Sequence, residues 1–160
     1  MSEAWVLNAS PLILFARINR LDIIDQLANP IVIPDAVIDE IRAGEAEDPS
    51  ARLGLAFAQT RRTSNLTVSS SVAHWDLGSG ESQVIAHAIQ IAAWAVLDDL
   101  AARRCATAHQ IPVVGSLGII LRGKRKGLFG SAAPWITKLR AAGMYLDDHL
   151  VQQVLASIEE

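Results

Sequence analysis

Cysteine is nearly absent. The 160-residue chain holds one, Cys105, so no disulfide can close within it, and the scarcity fits a reducing compartment. His74, His87, His109 and His149 show no zinc-like spacing, and no second cysteine joins Cys105, which argues against a Cys/His zinc site. There is no GxSxG, no P-loop and no GxGxxG, and Gly115-Ser116-Leu117-Gly118 is too short to cradle a phosphate by itself. Excess positive charge is missing too. Fourteen Lys+Arg against seventeen Asp+Glu give −3, which excludes a protein that coats nucleic acid through bulk charge but leaves room for a local basic patch. The richest apolar run, residues 84–97, is interrupted by His87 and Gln90. A membrane-spanning helix needs about 20 mostly apolar residues, so this run reads as a buried helix feeding a buried strand. The chain starts MSEAWVL, with an acidic charge and no apolar core before a cleavage site. No signal peptide is expected, and a cytoplasmic location is.

What is there suits one domain, since 51% of the residues are hydrophobic and a chain of this size buries roughly two-thirds of its unfolded surface. Short β-like runs alternate with helical patterns. Residues 5–8 form an apolar run; Ser10-Pro11 reads as the N-cap and first position of a helix. Residues 31–33 (IVI) read as a buried strand between Pro30 and Pro34, followed by a helix with the stripe Val37, Ile38 and Ile41. Residues 52–62 look helical, 66–68 strand-like, and 69–79 a polar loop. Gly80-Glu81 opens an apolar helix. Residues 94–97 make a strand ending in Asp98-Asp99; a helix over 100–109 and a strand over 111–114 follow. The next helix closes in a basic run, Arg122 to Lys126, and two final helices are expected over 135–142 and 147–158. This alternation predicts a parallel sheet covered on both faces. Function in such sheets collects at the carboxyl ends of strands, near a switch in strand order. That rule singles out Asn8-Ala9-Ser10, Asp98-Asp99 and Gly115-Ser116.

Carboxylates stand at several element ends. One of Asp98 and Asp99 can cap the helix that follows; two adjacent acids exceed what capping needs. Glu40 lies beside an apolar stripe and does not share a helix face with Asp39. Read alone it is a boundary residue, and Glu81 read alone is a first-turn acid favoured by the helix dipole. Read together, oxygen ligands converging from separate elements would suit Mg²⁺ or Mn²⁺, ions that support phosphodiester hydrolysis. The cluster Arg122, Lys124, Arg125 and Lys126 is either a solvated helix end or a phosphate-contacting patch, which Arg103-Arg104 could extend.

The segments VLNASPLILFARINRLDII (6–24), IPDAVIDEI (33–41), LGSGESQVIAHA (77–88), VLDDLAARR (96–104), IPVVGSLGIILRGKRKGL (111–128) and LRAAGMYLDDHLVQQVL (139–155) resemble, in order, a PIN domain of the VapC-like subgroup with the DUF3368-type signature. The resemblance implies an α/β fold, a three-layer α/β/α sandwich around a central parallel sheet, as one domain over residues 1–160. The helices of about 131–160 would pack on it or at a subunit interface. It implies a ribonuclease dependent on Mg²⁺ or Mn²⁺, the toxin of a toxin–antitoxin pair, with an RNA substrate, a small antitoxin as partner and often a homodimer. Carried over by position, the family's acids fall on Asn8, Glu40, Glu81 and Asp99 or its neighbour Asp98, with Asp99 preferred because it directly precedes a helix. Ser10 matches the motif serine, and Ser116 the hydroxyl after the last core strand.

Asn8 departs from the motif. It offers a carbonyl oxygen but no charge and cannot act as a base. Three readings stand open: a working nuclease with reduced metal affinity, a silent PIN-like protein that binds an antitoxin or RNA, and an introduced Asp→Asn change in a toxic protein. A receiver-like or phosphatase domain also uses acids at strand ends, but the receiver wants a Lys near the end of the last strand. Here residues 111–114 run into Gly115-Ser116 instead.

Overall fold

The computed structural model describes residues 3–160. The first strand, β1 (Glu3–Leu7), lies at the centre of a five-stranded sheet of order β3-β2-β1-β4-β5, in which β2 is Ala28–Pro34, β3 Arg62–Thr63, β4 Trp94–Val96 and β5 Val113–Val114. Every pairing is parallel. Successive strand residues point to opposite faces, yet Trp5, Val6 and Leu7 are all fully buried. Both faces of the central strand are therefore covered, which is why β1 and β4 read as unbroken apolar runs rather than alternating ones.

The connections are helical. Helices α1 (Ala9–Arg17) and α2 (Leu21–Leu27) join β1 to β2; α3 (Asp35–Ala43) and α4 (Ala51–Gln59) join β2 to β3. The short α5 (Ser70–Ala73) and the long α6 (Ser79–Ile91) lead to β4, and α7 (Leu100–Ala108) leads to β5. The chain closes with α8 (Ser116–Lys126), α9 (Ala133–Ala141) and α10 (Asp148–Ser157). Helix α6 packs on β1, β2 and β4, while α2 packs on β2 and α8. One apolar cluster runs from Trp5 to Leu146. Helix α10 has no buried residue of its own.

Three local expectations are corrected. The strand expected over 66–68 does not form: the Gln83 side chain brackets Leu66, accepting from its N–H at 2.8 Å and donating to its carbonyl at 2.7 Å. Those backbone groups are satisfied without a ladder, and the pairing moves to β3, where Ile33 and Pro34 face Arg62 and Thr63. The helical stretch expected over 52–62 ends at Gln59 instead, and Arg62 joins β3. Ser10 does not cap α1; the helix starts at Ala9 with Asn8 in the cap position.

The strand order reverses direction at β1. Chain segments leaving β1 go to β2 on one side, and β4 enters on the other. The register Leu7↔Val96 ends the two strands level. Asn8 and Asp98 thus emerge together at the carboxyl edge, with Gly115-Ser116 following β5 beside them.

Candidate active site

Two groups of side chains meet at this edge. The first is built around Asp98. Its carboxylate accepts from Ser10 Oγ at 2.8 Å, from Ser116 Oγ at 2.7 Å and from the Ser116 backbone N–H at 2.7 Å. Ser116 is fully buried. The two hydroxyls follow β1 and β5, the strands on either side of β4, and fix the orientation of one carboxylate. Gly115 allows this approach: a Cβ there would lie 3.2 Å from Asp98 Oδ1 and would collide with the Arg103 guanidinium.

Asp99, the neighbour preferred from the sequence, turns away. Its carboxylate accepts from Ala102 N–H at 2.9 Å as the N-cap of α7. That satisfies one orphan donor of the helix start. The adjacent acids divide as adjacent residues must at a strand-to-helix junction, one into the site and one onto the helix.

The second group gathers at the first turn of α6. Asn8 holds the cap position of α1 but makes no cap hydrogen bond. Its Oδ1 is buried with no hydrogen-bond partner among the described residues, and the residue is 5% exposed. A Cβ on Gly80 would sit 3.2 Å from that oxygen and 2.8 Å from Glu40 Oε2. Gly80 is the gap that lets β1, α3 and α6 bring their polar atoms together. Glu81 follows immediately, with its carboxylate accepting from Gly78 N–H at 3.0 Å. Partial burial, reinforced by the negative charge of Glu81, raises the Glu40 carboxyl above its ordinary value.

The donors fit a hard divalent cation in kind. A buried carbonyl oxygen lacks a donor, an unpaired buried acceptor is costly, and neighbouring carboxylates resist joint ionisation. A cation would relieve both the orphaned oxygen and the carboxylate repulsion. The ligand set is nonetheless thin. Among the described residues no group of three His, Cys, Asp or Glu side chains is gathered closely enough to hold a metal ion. With an acid at position 8 the charge here would be greater by one.

The basic run does not form one patch. Lys124 donates to Gly130 O at 2.7 Å and pairs with Glu160, and Lys126 donates to Gln26 O at 2.8 Å. Both tie α8 to neighbouring segments. Arg122 and Arg125 instead line a groove of about 600 Å³ that reaches Asp98, together with Arg103. Arg122 also lies over the Trp94 ring at 4.5 Å and 3.5 Å from Glu3. Arg103 was named from the sequence as an extension of the basic patch and Gly115 as a strand-end position, but the close approaches that Gly80 and Gly115 permit were not. A glycine in the first turn of an otherwise apolar helix was the available signal for Gly80.

The arrangement defines a parallel α/β domain with an acidic, hydroxyl-supported site at its switch point. A family model described as DUF3368, PIN domain, matches residues 4–160, and the chain belongs to that family of PIN domains. Among solved structures, the crystal structure of VapBC2 from Rickettsia felis bound to a DNA fragment from their promoter is similar over 70% of this chain and 98% of the matched chain, with 13% sequence identity and a TM-score of 0.48. No curated protein matches the sequence.

Proposed function

We propose that this PIN domain is a metal-dependent endoribonuclease, the toxin of a toxin–antitoxin pair, working with Mg²⁺ or Mn²⁺. The observation that carries the reading is the buried Asn8 carbonyl oxygen, without a donor, facing Glu40 across Gly80. Asn8, Glu40 and Glu81 would hold the ion on one side, and Asp98 would face it from the other, oriented by Ser10 and Ser116. Asp99 supports α7 instead. A bound divalent ion supplies charge stabilisation and a nucleophile at neutral pH. Glu40 must be ionised to take part, so its raised pKa makes metal affinity climb with pH through a range above that of an ordinary carboxylate. Arg122, Arg125 and Arg103 would position the RNA backbone. Asn8 in place of an acid lowers metal affinity, so the native chain is a slow nuclease. A small antitoxin and a homodimeric state come with the family resemblance.

The test is cleavage by Glu40→Gln. The variant is expected to keep its fold by circular dichroism and lose metal-dependent RNA cleavage. Retained cleavage removes Glu40 from the site. A second reading, a silent PIN-like protein that binds RNA or an antitoxin, is favoured by the absence, among the described residues, of three His, Cys, Asp or Glu side chains already gathered for a metal. It predicts that Asn8→Asp stays inactive and does not bind Mn²⁺.

A further inference from the structure

Tyr145 is the chain's one tyrosine, and it is 91% exposed. Its position is held. Met144 is half-buried and Leu146 is buried beside it, Met144 N–H donates to Leu139 O at 3.0 Å, and Arg140 donates to Leu146 O at 2.5 Å. An anchored loop therefore holds an exposed aromatic ring at a fixed place on the surface. Two grooves meet under this ring. One, of about 600 Å³, carries Arg103, Arg122 and Arg125; the other, of about 390 Å³, carries Ser10 and Arg17. Asp98, Met144 and Tyr145 line both.

We infer that Tyr145 is a substrate-positioning residue at this site, a stacking platform that takes an unpaired base of the RNA on its ring while the backbone lies in the arginine-lined groove. This rests on the nuclease reading above and adds a residue that places the strand. The chemistry favours this occupant. A ring face accepts any base but only one released from a duplex stack. Cations at one side of the ring match phosphates, and the grooves join at the carboxylate where the strand would be cut. Arg125 has no ion-pair partner among the described residues, so it is available to a phosphate.

Fluorotyrosine incorporation places a single reporter on the full chain. The probe is a short mixed-sequence RNA strand carrying fluorescein, alone or annealed to its complement, titrated in chelator so that it stays whole. The single strand is expected to shift the one fluorine resonance, and the duplex to leave it in place. Tyr145→Ala should weaken single-strand binding about tenfold by anisotropy, within the range of a lost stacked base, and Tyr145→Phe should retain it. A strand that binds without moving the resonance, equal affinity in Tyr145→Ala, or no binding at all overturns the inference. In the first two outcomes the ring is left for a protein contact. Cleavage of the same strand on adding Mn²⁺ reports separately on the nuclease reading: cleavage without Tyr145 engagement sinks only the stacking role, and neither binding nor cleavage sinks both.

Discussion

Asp98 and Asp99 are one peptide bond apart and differ in nearly everything else. Asp98 takes three hydrogen bonds at the sheet edge; Asp99 takes one from the start of α7. Asp99→Ala should therefore cost about 1 kcal/mol of stability, the usual cost of a lost cap, and leave RNA cleavage intact. Asp98→Asn should do the reverse, with cleavage lost and the melting temperature little changed. Gly80→Ala separates site from fold in the same way. Its new Cβ would meet the ends of the Glu40 and Asn8 side chains, which can swing aside, so the domain should melt near its native temperature while Mn²⁺ binding by calorimetry weakens. Glu40 gives a pH signature. Its folded pKa is raised, so ionising it costs stability, and that cost appears as pH rises through its unfolded value toward the folded one. Glu40→Gln should melt higher than the native chain at neutral pH without metal, with the gap closing as pH falls below the ordinary carboxylate range. Adding Mn²⁺ should stabilise only the native chain.

Helix α8 divides its basic side chains between two surroundings. Arg122 and Arg125 lie three residues apart and face the groove, while Lys124 and Lys126 face structural partners. Charge reversal at Arg125 should weaken RNA binding and its salt dependence; reversal at Lys124 should lower stability instead. Lys124 leads to a second carboxylate with a structural role. Glu160 accepts from the Ala132 and Ala133 N–H groups, from Ser131 and from Lys124, and its pKa falls to about 2. A lowered carboxylate stabilises above its unfolded pKa and loses that contribution as pH falls toward about 2. Glu160→Gln should thus melt lower than the native chain at neutral pH, with the difference shrinking in acid. None of this was legible from the basic run alone, because helix periodicity gives the spacing of Arg122 to Lys126 but not what lies opposite each side chain. The strand mistaken at 66–68 has the same origin. Its composition suits a strand, and the competing partner, Gln83, lies 17 residues away.

At the scale of the molecule, the sheet was readable because its central strands are buried on both faces. Trp5-Val6-Leu7 and Ala95-Val96-Leu97 have no polar residue to interrupt them, and the carboxyl-edge rule then located Asn8, Asp98 and Ser116 without a structure. What escaped was convergence. Ser10 reaches Asp98 across 88 residues, Gly80 opens the space between Glu40 and Asn8, and Tyr145 overlooks the grooves from a loop between the last two helices. Among the described residues no helix is long and apolar enough to cross a membrane. On the proposed function, the edge of this sheet would hold a divalent cation and cleave RNA with it, weakened by Asn8. The most direct measurement is cleavage of a mixed single-stranded RNA pool, with and without Mn²⁺, by the native chain and by Asn8→Asp. Slow Mn²⁺-dependent cleavage by the native chain and faster cleavage by Asn8→Asp is the predicted result. Intact RNA from both proteins in Mn²⁺ would contradict it.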